Sequence, residues 1–361
     1  MIQDEIKSVE EEIHKTKKNK ATERHLAMLY CKLGKLRDEA EKKTRGGGKG
    51  KGYTVKKSGD ATATLVGFPS VGKSTLINAL TNADSEVAAY DFTTLTAIPG
   101  IMKYKQASFQ IVDLPGIISD ASVGRGKGKE VLSVVRNADL VIIMLDAKKL
   151  HHYNIITKEL HDAGIRLDSK PPEIMFKNSM KGGIKVSVTV KLTHLSIEMV
   201  KEMLRNYGFI NGEVIIRKNV IPEEFIDALL GSRHYVPSLT IINKIDNLSS
   251  EELGRVRRKF PNAVLISAEK EWGLDELREQ IFRKTKLIRI YLKPHGKPAD
   301  MNEPLIMHEG ITVRDLGVKI HKDFVKNFRY AQVWGKSARF PGQKLGINHE
   351  LKDEDIVTIV I

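Results

Sequence analysis

The chain has 361 residues, a formal net charge of +14 at neutral pH, 41% hydrophobic residues and a single cysteine, Cys31. That length exceeds one compact domain and the apolar fraction suffices for real cores, so about two to four units are expected. The charge excess asks for a polyanionic partner, nucleic acid or an anionic membrane surface, with plain solubility as the alternative. The lone cysteine excludes a disulfide framework and a cysteine-built zinc site.

The N-terminal stretch MIQDEIKSVEEEIHK lacks the apolar core of a signal peptide. No apolar run approaches the roughly 20 residues that span a bilayer. The sequence therefore reads as a cytoplasmic, monomeric protein without membrane insertion. Ile6, Val9 and Ile13 fall at i, i+3 and i+7, and Leu26, Leu29, Leu33 and Leu36 repeat the spacing. Two amphipathic helices follow from this, turned back at KKNKATE into a hairpin, with Cys31 as a small packing residue. RGGGKGKG, Arg45 to Gly52, is a flexible basic linker, either a tether or a tether that also touches phosphates. Hairpin and linker together occupy residues 1–52.

From about Ala61 short apolar runs alternate with helical stretches: ATLVGF, SFQIVDL, DLVIIMLD, SLTIINK and AVLIS. Near-continuous apolar strands separated by helices predict a parallel sheet covered on both faces, a doubly wound α/β domain over 53–164 and 237–286. About ninety residues separate Asp146 from the strand near Ser238, far more than a crossover needs. In that interval IKVSVTV and EVIIRKN read as strands, and SIEMVKEMLRNYG and PEEFIDALLG as helices stopped by Gly208 and Gly231. Residues 165–236 are thus an inserted α+β subdomain. LIRIYLKP, GITVRDLGVKI, YAQVWG and DEDIVTIVI then predict strand, helix, strand and closing strand, a small β-rich domain over 287–361.

GFPSVGKS fits GxxxxGK[ST], with Gly67, Gly72, Lys73 and Ser74 at the defining places, a strand before it and a helix after it. Two glycines let backbone N–H groups turn inward onto phosphate oxygens, and the helix adds the positive end of its dipole. Lys73 would bridge the terminal phosphates and Ser74 would place its hydroxyl on Mg²⁺. Pro69, Ser70, Val71 and Thr75 complete the cradle. DLPG, Asp113 to Gly116, puts a carboxylate for Mg²⁺ at a strand end and a bare N–H, that of Gly116, toward a γ-phosphate. In NKID, Asn243 to Asp246, Asp246 can accept from N1–H and N2–H₂ of guanine, a donor pair adenine lacks. Lys244 would lie along the base and Asn243 would brace the loop. Ser267, Ala268 and Glu269 stand at the next strand end, with the Ala268 N–H expected at guanine O6. Between cradle and DLPG lies YDFTTLTAIPG. Thr94, with Thr93 as the neighbouring option and Phe92 before it, would close over the γ-phosphate and Mg²⁺; the alternative is threonines of an ordinary strand. The pocket would bind GTP and GDP.

The order GFPSVGKS, FTTL, DLPG, NKID, SA resembles a translation-factor-class GTPase. YDFTTLTAIPG and DLPGIISDASVGRGKGKEVLSVVRNADL resemble more closely the Obg-like GTPases, specifically the developmentally regulated GTP-binding (DRG) family, over nearly the whole chain. The resemblance implies a P-loop NTPase G domain, an insertion similar to a ribosomal-protein domain and a C-terminal TGS domain of β-grasp fold. It further implies a cytoplasmic GTPase linked to ribosomes, with rRNA or tRNA as contacts and a dedicated stabilising protein partner.

Ile117 stands where Ras-like enzymes carry a water-orienting glutamine. Unaided turnover is therefore expected to be slow, on the order of 10⁻⁴ s⁻¹. The resemblance makes potassium stimulation an expectation, although Ser70 replaces the asparagine that some potassium-using GTPases carry. Arg125, Lys127 and Lys129 in GRGKGKE either face a phosphate or sit in a solvated loop. The adjacent pair His151 and His152 points in different directions on a helix and is not expected to hold a metal. In the C-terminal domain Tyr330, Trp334 and Phe340 interleave with Arg329, Lys336 and Arg339, either as RNA-stacking groups or as the core and rim of a small sheet. Two functions remain open at this point: a GTP-hydrolysing switch acting on ribosomes, or an RNA-binding scaffold that holds GTP with negligible turnover.

Overall fold

The computed structural model describes residues 2–45, 58–81, 99–113, 134–294 and 296–361. Among them the chain forms two compact units. One gathers the described parts of Met1–Tyr53 and Thr157–Val236; the other gathers those of Thr54–Lys127, Ser133–Ile156 and Pro237–Ile361. No helix among the described residues is long and apolar enough to cross a membrane.

The larger unit is built on strands whose residues are apolar almost without interruption. β1 (Ala61–Val66) and β4 (Leu140–Asp146) are buried along their lengths, as strands covered on both faces must be. With β2 (Pro99–Tyr104), β3 (Ala107–Asp113), β10 (Ser238–Asn243) and β11 (Val264–Leu265) they form a six-stranded sheet in the order β11-β10-β4-β1-β3-β2. The chain steps from β1 outward to β3 on one side and to β4 on the other, so β1 is the point where strand order reverses. Ligands of doubly wound sheets bind beyond the strand ends at such a point. The parallel register sets Leu65 beside Asp113 and Asn243 beside Asp146, which aligns the carboxyl ends of four strands.

The sheet is not wholly parallel. β2 pairs antiparallel with β3 across the two-residue turn Lys105–Gln106, because so short a connection cannot reverse the chain into a parallel strand. PGIMKY had no strand assignment from sequence. α3 (Lys73–Thr81) and α8 (Leu274–Lys284) bury Leu76, Ile77, Leu80, Leu277 and Ile281 against Leu65, Ile111, Ile142 and Met144.

The C-terminal β-grasp-like domain belongs to the same unit. β12 (Leu287–Leu292), β13 (Leu305–His308), β14 (Tyr330–Trp334), β15 (Gln343–Leu345) and β16 (Asp355–Val360) form a sheet in the order β13-β12-β16-β14-β15. α9 (Val313–Ile320) packs Val313 and Leu316 on its apolar face. Its start is fixed by Thr312, which caps the N–H of Asp315 while the Asp315 carboxylate takes the Thr312 N–H. Leu287 and Ile306 enter the core of the nucleotide-binding sheet, so the two sheets share buried apolar surface.

In the smaller unit β6 (Ile174–Asn178), β8 (Gly212–Ile216) and β7 (Ile184–Val188) form a sheet backed by α5 (Ile197–Asn206) and α6 (Pro222–Leu230). α1 (Ile2–Lys15) and α2 (Glu23–Arg45) make the hairpin through Val9, Leu29 and Leu33. A second face of α2, with Leu26, Ala27 and Cys31, lies in the core of the inserted sheet. Gly34 permits the approach: a Cβ there would fall 2.6 Å from the Tyr207 hydroxyl and 2.7 Å from an Ile226 methyl. Cys31 is buried, and that burial pushes its thiol up to about 12, which leaves it an inert packing group. β5 (Ile165–Leu167) and β9 (His234–Val236) pair in parallel beside the buried carboxylate of Asp227.

That carboxylate takes both Nε (2.6 Å) and Nη2 (3.0 Å) of Arg166 and Nε of Arg233 (2.8 Å). Asp227→Ala would remove the carboxylate that two buried guanidinium groups share. It should cost about 3–5 kcal/mol in a urea melt followed by far-ultraviolet circular dichroism.

Candidate nucleotide-binding site

The loop after β1 is shaped by what cannot fit. A Cβ on Gly67 would lie 2.6 Å from the Met144 carbonyl oxygen. Gly72 has φ +99°, and a Cβ there would lie 2.6 Å from the Asn243 amide nitrogen. Between them Ser70 takes φ +62°, an unusual place for a residue with a side chain. Lys73 opens α3 and curls back, its Nζ donating to the carbonyls of Gly67 (3.2 Å) and Phe68 (3.4 Å). Its ammonium thus stands over the loop at the helix N-terminus, where partial positive charge already gathers. Pro69, Ser70, Ser74 and Thr75 are exposed around it, and Val71 is buried beneath.

Asp113 ends β3 directly beside this loop. Its Oδ1 is buried and has no hydrogen-bond partner among the described residues. Burial raises the pKa of the carboxyl, and the Lys73 ammonium only partly offsets it. A desolvated carboxylate with one oxygen unbonded among the described residues, next to a lysine at a phosphate-type loop, fits a divalent cation, because hard oxygen donors suit Mg²⁺.

The other half of the site grows from the ends of β10 and β4. Asn243 is buried; its Nδ2 donates to the Val71 carbonyl (2.8 Å) and its Oδ1 accepts from the Ala268 N–H (2.9 Å). One side chain therefore ties the phosphate-type loop to both loops of the opposite half. Lys244 has φ +66°, which turns the chain into a 3₁₀ turn, Ile245–Asn247, that carries Asp246. The Lys244 ammonium bridges the Ser70 carbonyl (2.7 Å) and Asp146 Oδ2 (2.9 Å). Burial works to raise the Asp146 carboxyl, but the Lys148 N–H and Lys244 outweigh it and hold it below its usual value. Ser267 is buried, exchanges backbone hydrogen bonds with Trp272 and accepts the Lys270 N–H on its hydroxyl (3.2 Å), forming a tight turn around Ala268 and Glu269.

The structure brings together Gly67, Pro69, Ser70, Val71, Gly72, Lys73, Ser74, Thr75, Asp113, Asn243, Lys244, Asp246, Ser267, Ala268 and Glu269 along one edge of the sheet. The Ala268 N–H, expected at guanine O6, donates here to Asn243 Oδ1, because a buried amide takes an acceptor from the protein itself. Phe92, Thr93, Thr94, Gly116 and Ile117, the GRGKGKE stretch and residues 46–52 of the RGGGKGKG linker lie outside the described residues, while Arg45, assigned to that linker, is the last residue of α2.

Two features went unread in the sequence. Asp146 carries Lys244; its only signal was an acid at the end of an apolar strand. His152 stacks flat on Phe68 of the loop, ring centroids 3.8 Å apart and 23° from parallel.

A phosphate-type loop, a desolvated metal-fit carboxylate beside it and a carboxylate-bearing turn clamped to that loop define a P-loop GTPase. Three family models agree with this: 50S ribosome-binding GTPase over residues 62–178, C-terminal region of MMR_HSR1 domain over 181–287, and TGS domain over 288–361. An uncharacterized GTP-binding protein of Methanocaldococcus jannaschii is 53% identical, covering 100% of this chain and 93% of its own. Developmentally-regulated G-protein 3 of Arabidopsis thaliana is 46% identical over 99% of this chain and 98% of its own. Ribosome-interacting GTPase 1 of Saccharomyces cerevisiae is 45% identical with the same coverage. The chain belongs to the developmentally regulated GTP-binding protein family of Obg-like GTPases, and it binds and hydrolyses GTP.

The Asp113 carboxyl has a raised pKa in the folded state, so the native protein binds a proton more readily than the unfolded chain and loses stability as pH rises through that pKa. Asp113→Asn should therefore melt about 2 °C higher than the parent at pH 7 without nucleotide. Calorimetry should show that gain shrinking toward zero as pH falls into the carboxylate range, with Mg²⁺-dependent GTP binding lost throughout.

Proposed function

We propose that this GTPase works as a switch on ribosomes, with Lys73 and the amides of Gly67–Gly72 gripping the β- and γ-phosphates. Ser74, Asp113 and Thr94 would hold Mg²⁺, which when bound neutralises charge on the phosphates. The Gly116 N–H would meet the γ-phosphate. Asp246 would accept from N1–H and N2–H₂ of guanine, Lys244 would lie along the base, and an N–H of the Ala268–Glu269 turn would meet guanine O6. The observation that carries this reading is Asn243, whose buried amide joins the phosphate loop and the base loops into one rigid pocket.

An isoleucine at 117 offers no hydrogen bond to an attacking water. Turnover therefore depends on a group from outside, either potassium or the ribosome. The ribosome as partner is supported by the relative named for interacting with it and by the C-terminal sheet. There the pattern buries Ala331 and Val333 and turns Tyr330, Gln332 and Trp334 to the other face. Lys344 lies 4.6 Å over the Tyr330 ring and Lys293 lies 4.3 Å over that of Trp334. Exposed Arg329, Arg339 and Phe340 stand alongside. Rings beside cations suit RNA bases beside phosphates.

GTP turnover should be slow in sodium buffer, rise in potassium, and rise further with ribosomes. Ribosome affinity should fall steeply between 50 and 200 mM salt, by an order of magnitude or more (roughly, for a few phosphate contacts). Trp334→Ala should weaken it about tenfold. Turnover unmoved by ribosomes in either buffer, with binding indifferent to salt, would overturn the ribosomal assignment.

A further inference from the structure

The β2–β3 hairpin runs from the segment that carries Thr94 to Asp113, so its tip is the far end of the strand that positions a metal-fit carboxylate. That tip is built against its own backbone preference. Lys105 has φ +49° and Gln106 φ +66°. Two-residue hairpin turns with both φ values positive ordinarily take Asn-Gly or Asp-Gly. Side chains larger than these persist in such a turn where the surroundings over-determine it.

The surroundings do so from two directions. Lys105 Nζ pairs with Glu279 Oε2 of α8 at 2.7 Å, and the Tyr104 hydroxyl donates to the same oxygen at 3.0 Å. Lys105, then Arg283 and Tyr104, pull the Glu279 carboxyl down to about 2 against its partial burial, so this anchor stays charged across the ordinary pH range. Gln106 reaches the other way, into the C-terminal domain. Its Oε1 accepts from the Tyr291 hydroxyl of β12 (3.1 Å), and its Nε2 donates to the carbonyls of Met301 (3.1 Å) and Asn302 (3.4 Å). Tyr291 is itself held, 5% exposed and in parallel register with Ile356 of β16. Arg289, one strand position from Ile288 of the same sheet, lies 5.7 Å over the Phe282 ring of α8, beside the Lys105 anchor.

We propose that Gln106 is a positioning residue through which the C-terminal domain holds the β2–β3 hairpin, and with it Asp113, so that this domain and the bound nucleotide sense each other. β3 is paired on both sides, with β2 and with β1. The ladders on both sides make β3 move with β2 as one hairpin, so a displacement imposed at its Asp113 end is felt at the Lys105–Gln106 turn. At the turn the receiving groups belong to the C-terminal sheet. Linkage makes the coupling mutual: whatever the ribosome does to that sheet alters nucleotide affinity by the same factor as nucleotide alters ribosome affinity. The proposal rests on Asp113 facing the γ-phosphate side of the pocket.

Hydrogen–deuterium exchange of the full chain, loaded with GDP or with a non-hydrolysable GTP analogue, tests it. In the parent, exchange over residues 287–308 should differ between the two nucleotides. Gln106→Ala should abolish the difference while both nucleotides still bind. Tyr291→Phe, which deletes one hydroxyl and keeps the ring packed, should reduce it by about half and shift the GTP-to-GDP affinity ratio by about fivefold, within the usual range of such couplings. The proposal is overturned if the parent shows no difference although both nucleotides bind, or if both variants keep the parent's difference. A parent that binds neither nucleotide overturns the pocket itself, an outcome distinct from failure of the Gln106 link alone.

Discussion

The buried amide of Asn243 spans the two halves of the pocket, donating to the Val71 carbonyl at 2.8 Å and accepting the Ala268 N–H at 2.9 Å. Both bonds lie out of water, where an unmet partner costs the full desolvation of its group. Gly72 is bare because a side chain there would strike this amide. The Lys244 ammonium adds a parallel brace from Asp146 to the Ser70 carbonyl. Loops from three strand ends thereby become one body, and a base and a triphosphate can be measured against each other at fixed separation. Pre-organisation of this kind spares the ordering cost that binding would otherwise carry.

Stability and function draw on the same acids in opposite ways. Asp227 is buried and satisfied: two arginines surround it, and it holds β5, β9 and α6 together. Asp113 is half-buried, its Oδ1 has no hydrogen-bond partner among the described residues, and Lys73 only partly offsets the burial that raises its pKa. A fold can keep such a group when the rest of the sheet is apolar and continuous, as β1 and β4 are.

Much of this was legible in the residues. The phosphate loop, the strand-end Asp113 and NKID announce themselves because their chemistry admits few other residue types at those spacings, and the buried strands because uninterrupted apolar runs have one common explanation. Other features were not. The β2–β3 turn consists of Lys105 and Gln106, two residues that argue against the turn they make and are held there by contacts from α8, β12 and the Met301 and Asn302 carbonyls. β13 and β15 are too short to show alternation. The second apolar face of α2 includes Ala27 and Cys31, which carry little periodic signal, and Gly34, which carries none. The bond from the Ala268 N–H to Asn243 Oδ1 joins residues 25 apart in sequence, and no spacing announces it.

Calorimetric titration of GTP, GDP and ATP into Asn243→Ala and its parent tests the account most directly. The parent should bind both guanine nucleotides and reject ATP. The variant should lose about 100-fold or more in GTP affinity, roughly the two buried hydrogen bonds and the pre-organisation they provide. GTP held by the variant as tightly as by the parent, or ATP held by the parent as tightly as GTP, would contradict it.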